Sequence, residues 1–231
     1  MIAFVSACAA SLALLAAAGA APNTGKIAGR ITLAGLAPKL ANLPVTKDLK
    51  ICGTSKPEEA LEVGSGGGLK NIVLWLPEGP KPVVHEVARK KLKLDQQACQ
   101  FVPHVIAAEV GSTLDIVNSD AVLHNVHATE KEAKAFNYAM PIKGQVVPTK
   151  LKTVGTLKLK CDVHPWMRAT VHVLPTSAFS VTGDDGSYLI DGVPPGHYKL
   201  HLWSERLGER DVEVDVSAGR TTQHDVALTP R

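Results

Sequence analysis

The chain has 231 residues, of which 45% are hydrophobic but only 4% aromatic, and it carries a formal charge of +3 at pH 7. So mild a charge, with no stripe of Arg interleaved with aromatics, gives no warrant for a nucleic-acid-binding protein. The length is enough for one large or two small domains, and frequent Gly and Pro between short Val-, Leu- and Thr-rich runs point to an all-β class.

Residues 2–20 carry no charge, are rich in Ala and Leu, and end in Ala18-Gly19-Ala20. That pattern predicts a secretory leader over residues 1–20 and an exported chain, periplasmic or extracellular. The apolar run is short and Ala-rich for a bilayer span, so no membrane association is expected once the leader is removed. Lys26-Ile27-Ala28-Gly29-Arg30-Ile31-Thr32-Leu33 then alternates as a strand and stops at Gly35. Residues 43–61 are irregular, with Pro44, Gly53 and Pro57, and Gly64-Ser65-Gly66-Gly67-Gly68 reads as a flexible connector. Asn71-Ile72-Val73-Leu74-Trp75-Leu76 is a continuous apolar strand closed by Pro77-Glu78-Gly79-Pro80.

From about residue 82 to 174 the pattern is self-contained. Strands are expected at 92–95, 101–108 and 113–117, the last closed by Asn118-Ser119-Asp120. Residues 124–128 lead into a more polar stretch. Leu157-Lys158-Leu159-Lys160 alternates cleanly and delivers Cys161 at its end, after which Ala169, Val171 and Val173 share one face. The basic run Lys150, Lys152, Lys158 and Lys160 reads as a solvated strand face, with a docking patch for an acidic redox partner as the alternative. The tail from Ser177 has its own rhythm: Gly183-Asp184-Asp185-Gly186 is a strong turn, residues 198–203 and 211–216 alternate, and residues 223–228 close the chain. It predicts a small β-sandwich without a cluster of catalytic spacing.

The chemistry concentrates in Cys161-Asp162-Val163-His164-Pro165-Trp166-Met167. A thiolate, an imidazole and a thioether recur there at three-residue steps. Soft sulfur beside imidazole suits copper, and a Cys with two His and a weak axial Met is the blue-copper electron-transfer set. His124, in Leu123-His124-Asn125-Val126-His127, is the candidate for the second imidazole. The expected metal ligands are therefore His124, Cys161, His164 and Met167, around one Cu(I)/Cu(II) ion. Asn125 is placed to tie the two ligand loops together, and Pro165 stiffens the loop by fixing φ. Trp166 is placed to cover the metal or to offer an aromatic surface to a partner. His127, an odd number of residues from His124, points to the opposite strand face. His104 and His172 are read as structural or exposed. Zinc is a rival occupant of the Cys and His ligands. With the leader removed, Cys52, Cys99 and Cys161 remain, an odd number; if Cys52 and Cys99 pair, Cys161 stays free as a ligand.

These motifs, with Asn118-Ser119-Asp120, resemble the cupredoxins, and the short step from His164 to Met167 is similar to the amicyanin type. The resemblance covers roughly residues 92–174. It implies a Greek-key β-sandwich, one type 1 copper, outer-sphere electron transfer, and an exposed His164 at an apolar patch as the electron port. Residues 183–228, with their turn-strand-Pro-Pro-Gly-x-Tyr pattern, are similar to carboxypeptidase-regulatory-like, transthyretin-like domains. Such domains imply partner strands like 29–33 and 71–76, which here precede the copper segment. The expected organisation is a cupredoxin at 83–175 inserted into a sandwich built from 25–82 and 176–231; two consecutive domains are the alternative. The functional expectation is an exported carrier of single electrons between redox proteins, with no small-molecule substrate and no catalysis of its own. A copper-binding or storage protein, or a metal-free structural or interaction module of a cell-surface complex, is the alternative.

Overall fold

The computed structural model describes residues 23–81 and 91–230. The expected leader and the boundary near residues 82–83 lie outside the described residues. Among those described, no helix is long and apolar enough to cross a membrane. The chain runs through β1 (Gly25–Leu33), β2 (Leu43–Pro44), the single turn α1 (Leu49–Cys52), β3 (Ser55–Lys56) and β4 (Val73–Trp75). Next come β5 (Lys91–Gln97), β6 (Gln100–Val102), β7 (Val105–Glu109), β8 (Thr113–Asn118) and β9 (His124–Glu130). β10 (Ala133–Met140), β11 (Val146–Lys150), β12 (Gly155–Lys160) and β13 (Arg168–Leu174) complete the copper-loop region. The tail holds β14 (Phe179–Val181), β15 (Ser187–Val193), β16 (Gly196–Ser204), β17 (Gly208–Val216), β18 (Thr221–Gln223) and β19 (Val226–Leu228). The all-β reading holds.

Strands β5–β13 form two facing sheets, in the orders β10-β9-β12-β13-β7 and β11-β8-β5-β6. Alternation dictates what they bury. In β8, Leu114, Ile116 and Asn118 point inward while Thr113, Asp115 and Val117 are half-exposed. The core between the sheets includes Leu94, Phe101, Leu114, Ile116, Val126, Leu159 and Val171, and it is continuous with Cys161, Trp166 and Met167 at one end. Burying such a side chain contributes roughly 1.5–3 kcal/mol. The polar stretch after His124 forms the β9–β10 hairpin and β11. In β10, Phe136, Tyr138 and Met140 alternate and pack on the core, a short period-2 signal set within that polar stretch.

The other strands form the sheets β15-β1-β18, with β19 also on β1, and β14-β4-β16-β17. Ile27 pairs with Ile190 antiparallel and Ile31 with Val226 in parallel. Leu74 lies between Ser180 and Leu202. The chain thus leaves this sandwich after β4 and returns at β14, with β5–β13 between. Its core joins Ile27, Ile31, Leu69, Leu74, Ile190, Leu200 and Leu202. The 64–68 glycine run is not a loose connector. A Cβ on Gly64 would meet the Asp184 carbonyl at 1.8 Å and one on Gly68 the Asp185 carbonyl at 1.9 Å. Glycine there lets the run pack directly on the 183–186 turn. A third, small cluster joins the two sandwiches: Val73, Val105, Ala107 and Leu174, lined by Trp75, Phe179, Val181 and Trp203.

Candidate metal centre

Strand pairing brings the two ligand segments together. β9 runs antiparallel to β12, with Lys160 opposite His127. His124 therefore starts its strand beside the point where Cys161 ends the neighbouring one. The loop 161–167 closes on itself: Cys161 N–H donates to Met167 O (3.1 Å) and Met167 N–H to His164 O (2.9 Å). Pro165 sits at the second position of that turn, where its fixed φ is favoured.

His124, Cys161 and His164 are all buried, and their ligand atoms lie within 4.8 Å of one another. His124 Nδ1 is 2.9 Å from His164 Nδ1, which is 3.8 Å from Cys161 Sγ. Both rings are tied from behind. His124 Nε2 is 3.0 Å from an Asp120 carboxylate oxygen and His164 Nε2 is 2.9 Å from one of Asp48. With each Nε2 as the donor to its carboxylate, both Nδ1 lone pairs face each other beside a sulfur. Three electron-rich atoms converging in a buried space are mutually repulsive unless a cation lies among them. The donor set, two imidazoles and a thiolate, is the one copper takes. Burial holds the His124 imidazole below its ordinary pKa against the opposing pull of Asp120, and the neutral ring is the form that binds metal. Met167 is buried beside Cys161 in the same core.

Asn125 bridges the two ligand segments. Its backbone N–H points at Cys161 Sγ (3.5 Å), its Oδ1 accepts from Asp162 N (2.7 Å), and its Nδ2 donates to Asp162 and Asn137 (2.8 Å each). His127 stands on the opposite face from His124, bonded to Asp162. Trp166 is buried, its Nε1–H donating to Cys99 O at 3.0 Å and its ring 5.1 Å from that of His164. It offers no aromatic surface to a partner. Cys52 and Cys99 form a disulfide, and Cys161 is the free cysteine among the described residues.

One expectation fails outright. His164 is not an exposed port: it is 0% exposed. The segment carrying β2, α1 and β3 folds over it, anchored by Val45 and Cys52 in the core and by the Glu58–Arg168 ion pair, and places Asp48 on its Nε2. Asp48 is absent from the sequence reading. It lies 116 residues from its partner, in an irregular stretch with no periodic signal. Asp120, four residues before His124, belongs to a motif the sequence does single out, although its bond to the ring is not evident there. Its carboxylate also accepts from Ala98 N and Cys99 N, which fixes its direction.

Residues 88–174 match the model of copper binding proteins of the plastocyanin/azurin family. This part of the chain has a cupredoxin fold. Residues 154–229 match the carboxypeptidase regulatory-like domain. That second match takes in β12 and β13, which pair within the cupredoxin sheet, and omits β1 and β4, which pair with the tail. Similar solved structures include a mutant amicyanin in its Cu(I) form, 26% identical, with 43% of this chain and 97% of that one covered at a TM-score of 0.34. A purple cupredoxin from Nitrosopumilus maritimus is 22% identical (36% and 98% covered, TM-score 0.32). A copper-containing nitrite reductase from Thermus scotoductus SA-01 is 19% identical (36% and 22% covered, TM-score 0.32). No curated protein matches the chain.

Proposed function

We propose that the chain is an exported type 1 copper protein that carries single electrons between redox protein partners. The observation that carries this reading is the pair of Nδ1 lone pairs facing each other beside Cys161 Sγ, with both Nε2 atoms engaged by carboxylates. One copper ion held by His124, Cys161, His164 and Met167 supplies a one-electron couple at a thiolate. The chain's own residues do the rest. Asp120 and Asp48 lock the ring orientations, and Asn125 holds the two ligand segments at fixed separation. A frame that rigid suits both oxidation states with little rearrangement, which is the requirement for fast electron transfer. The surrounding core, with Trp166 and Met167 buried, keeps water from the sulfur.

Residues 83–175 are read as the cupredoxin unit, inserted into a regulatory-like sandwich formed by 25–82 and 176–231. The Cys52–Cys99 disulfide and the leader-like start support an oxidising, exported location. Redox proteins are the partners, and no small-molecule substrate or catalysis is assigned. Protein-film voltammetry on the copper-loaded chain tests the reading. A reversible one-electron wave is expected. An irreversible wave with copper released on reduction would favour the storage reading instead.

A further inference from the structure

Covering His164 raises the question of where an electron crosses the surface. The ring is fully buried, and its Nε2 meets Asp48, whose side chain is 35% exposed. Asp48 is thus a group that touches both the ligand ring and solvent. It precedes α1 in the left-handed conformation (φ 50°). It is held there between the Val45 N–Thr54 O bond and the Cys52–Cys99 disulfide, whose sulfurs also approach His164 within 4.8 Å. Around it Lys47, Leu49, Lys50 and Ile51 are all exposed, Leu49 by 54% and Ile51 by 44%. Within this stretch of two cations and two large apolar side chains, the acid is Asp48, and it is turned inward onto the ring.

We infer that residues 47–51 are the docking surface for the redox partner, a protein with an apolar centre and an acidic rim, and that the electron crosses through the His164–Asp48 hydrogen bond. The inference rests on the copper reading above. Opposite charge across the contact steers the encounter, while Leu49 and Ile51 supply exposed apolar area in the same segment as Asp48. The rival exit is the shallow hollow lined by Leu123, Asn125, Lys134, Asn137, Ala139, Asp162 and Val163. There Asp162 bonds His127, Asn125 and Lys160, so the face is of mixed charge.

Stopped-flow oxidation of the reduced copper protein at low salt distinguishes the two faces. The probes are anionic hexacyanoferrate(III) and the cationic tris(phenanthroline)cobalt(III) complex. Lys47→Glu/Lys50→Glu should keep the visible copper band, slow hexacyanoferrate by about fivefold or more, and speed the cobalt complex, with both effects fading at high salt. Lys134→Glu/Lys160→Glu should leave both rates within about twofold. If the first variant leaves both rates unchanged, or the second moves them instead, the surface assignment is wrong and the copper centre stands. If the wild-type chain forms no visible copper band, the copper reading falls and takes the surface with it.

Discussion

Replacing His172 should remove a specific part of the acid sensitivity of the fold. His172 lies on β13 where the two sandwiches meet, its ring 4.3 Å from Trp203 and 6.0 Å from Trp75. Nδ1 is 3.1 Å from Thr156 Oγ1, while Nε2 is buried without a partner. Burial, with His201 nearby adding like charge, pushes its pKa down from 6.5 to about 4. The unfolded chain therefore binds the proton more readily, and this group's stability is complete above pH 6.5 and lost as pH falls toward 4. A pKa difference of about 2.5, at about 1.4 kcal/mol each, gives a loss of roughly 3 kcal/mol. The assay is urea unfolding of copper-free wild type and His172→Asn at pH 7 and pH 4.5, followed by the fluorescence of the flanking tryptophans. Asn keeps a polar atom toward Thr156, and its packing cost is the same at both pH values. Other titrating groups, such as His104 between Arg168 O and Glu205, cancel in the comparison. Wild type should lose about 2–3 kcal/mol more than the variant between the two pH values. Parallel losses in the two proteins would refute the buried, neutral assignment.

Two further outcomes follow from the same geometry. Cys52→Ala/Cys99→Ala opens a link with a sequence separation of 47, which chain entropy values at about 4 kcal/mol. Thermal unfolding that moved by less than about 1 kcal/mol would show that the segment over His164 is held by its other contacts. Met167→Leu should keep copper bound, within about tenfold in affinity, and shift the reduction potential upward. Loss of copper in that variant would contradict a weak axial role, and competitive titration against a chelator measures it.

The convergence of His124, Cys161 and His164 is legible because it depends on strand ends. Cys161 falls where a cleanly alternating strand stops, and His124 begins a strand that pairs beside it. Strand periodicity also places His127 on the face away from the centre. The return of β1 and β4 to the tail sheets is legible only through the resemblance of the tail to carboxypeptidase-regulatory-like domains, which implies partner strands like 29–33 and 71–76. What is not legible is the covering of His164. It depends on one carboxylate just before a one-turn helix between Pro44 and Pro57, where neither alternation nor a 3.6-residue period exists to be read. Likewise His172, its Nε2 buried without a partner, packs against two Trp rings from the other sandwich, a contact that no local pattern announces.

The central claim is that one copper ion sits among His124, Cys161, His164 and Met167, bound through the Cys161 thiolate. Titrating Cu(II) into the purified chain, with visible absorption and electron spin resonance recorded at each step, tests it most directly. The account predicts an intense thiolate-to-copper band that saturates at one equivalent and is absent in Cys161→Ser. A colourless wild-type protein, or a Cys161→Ser variant with an unchanged copper spectrum, would contradict it.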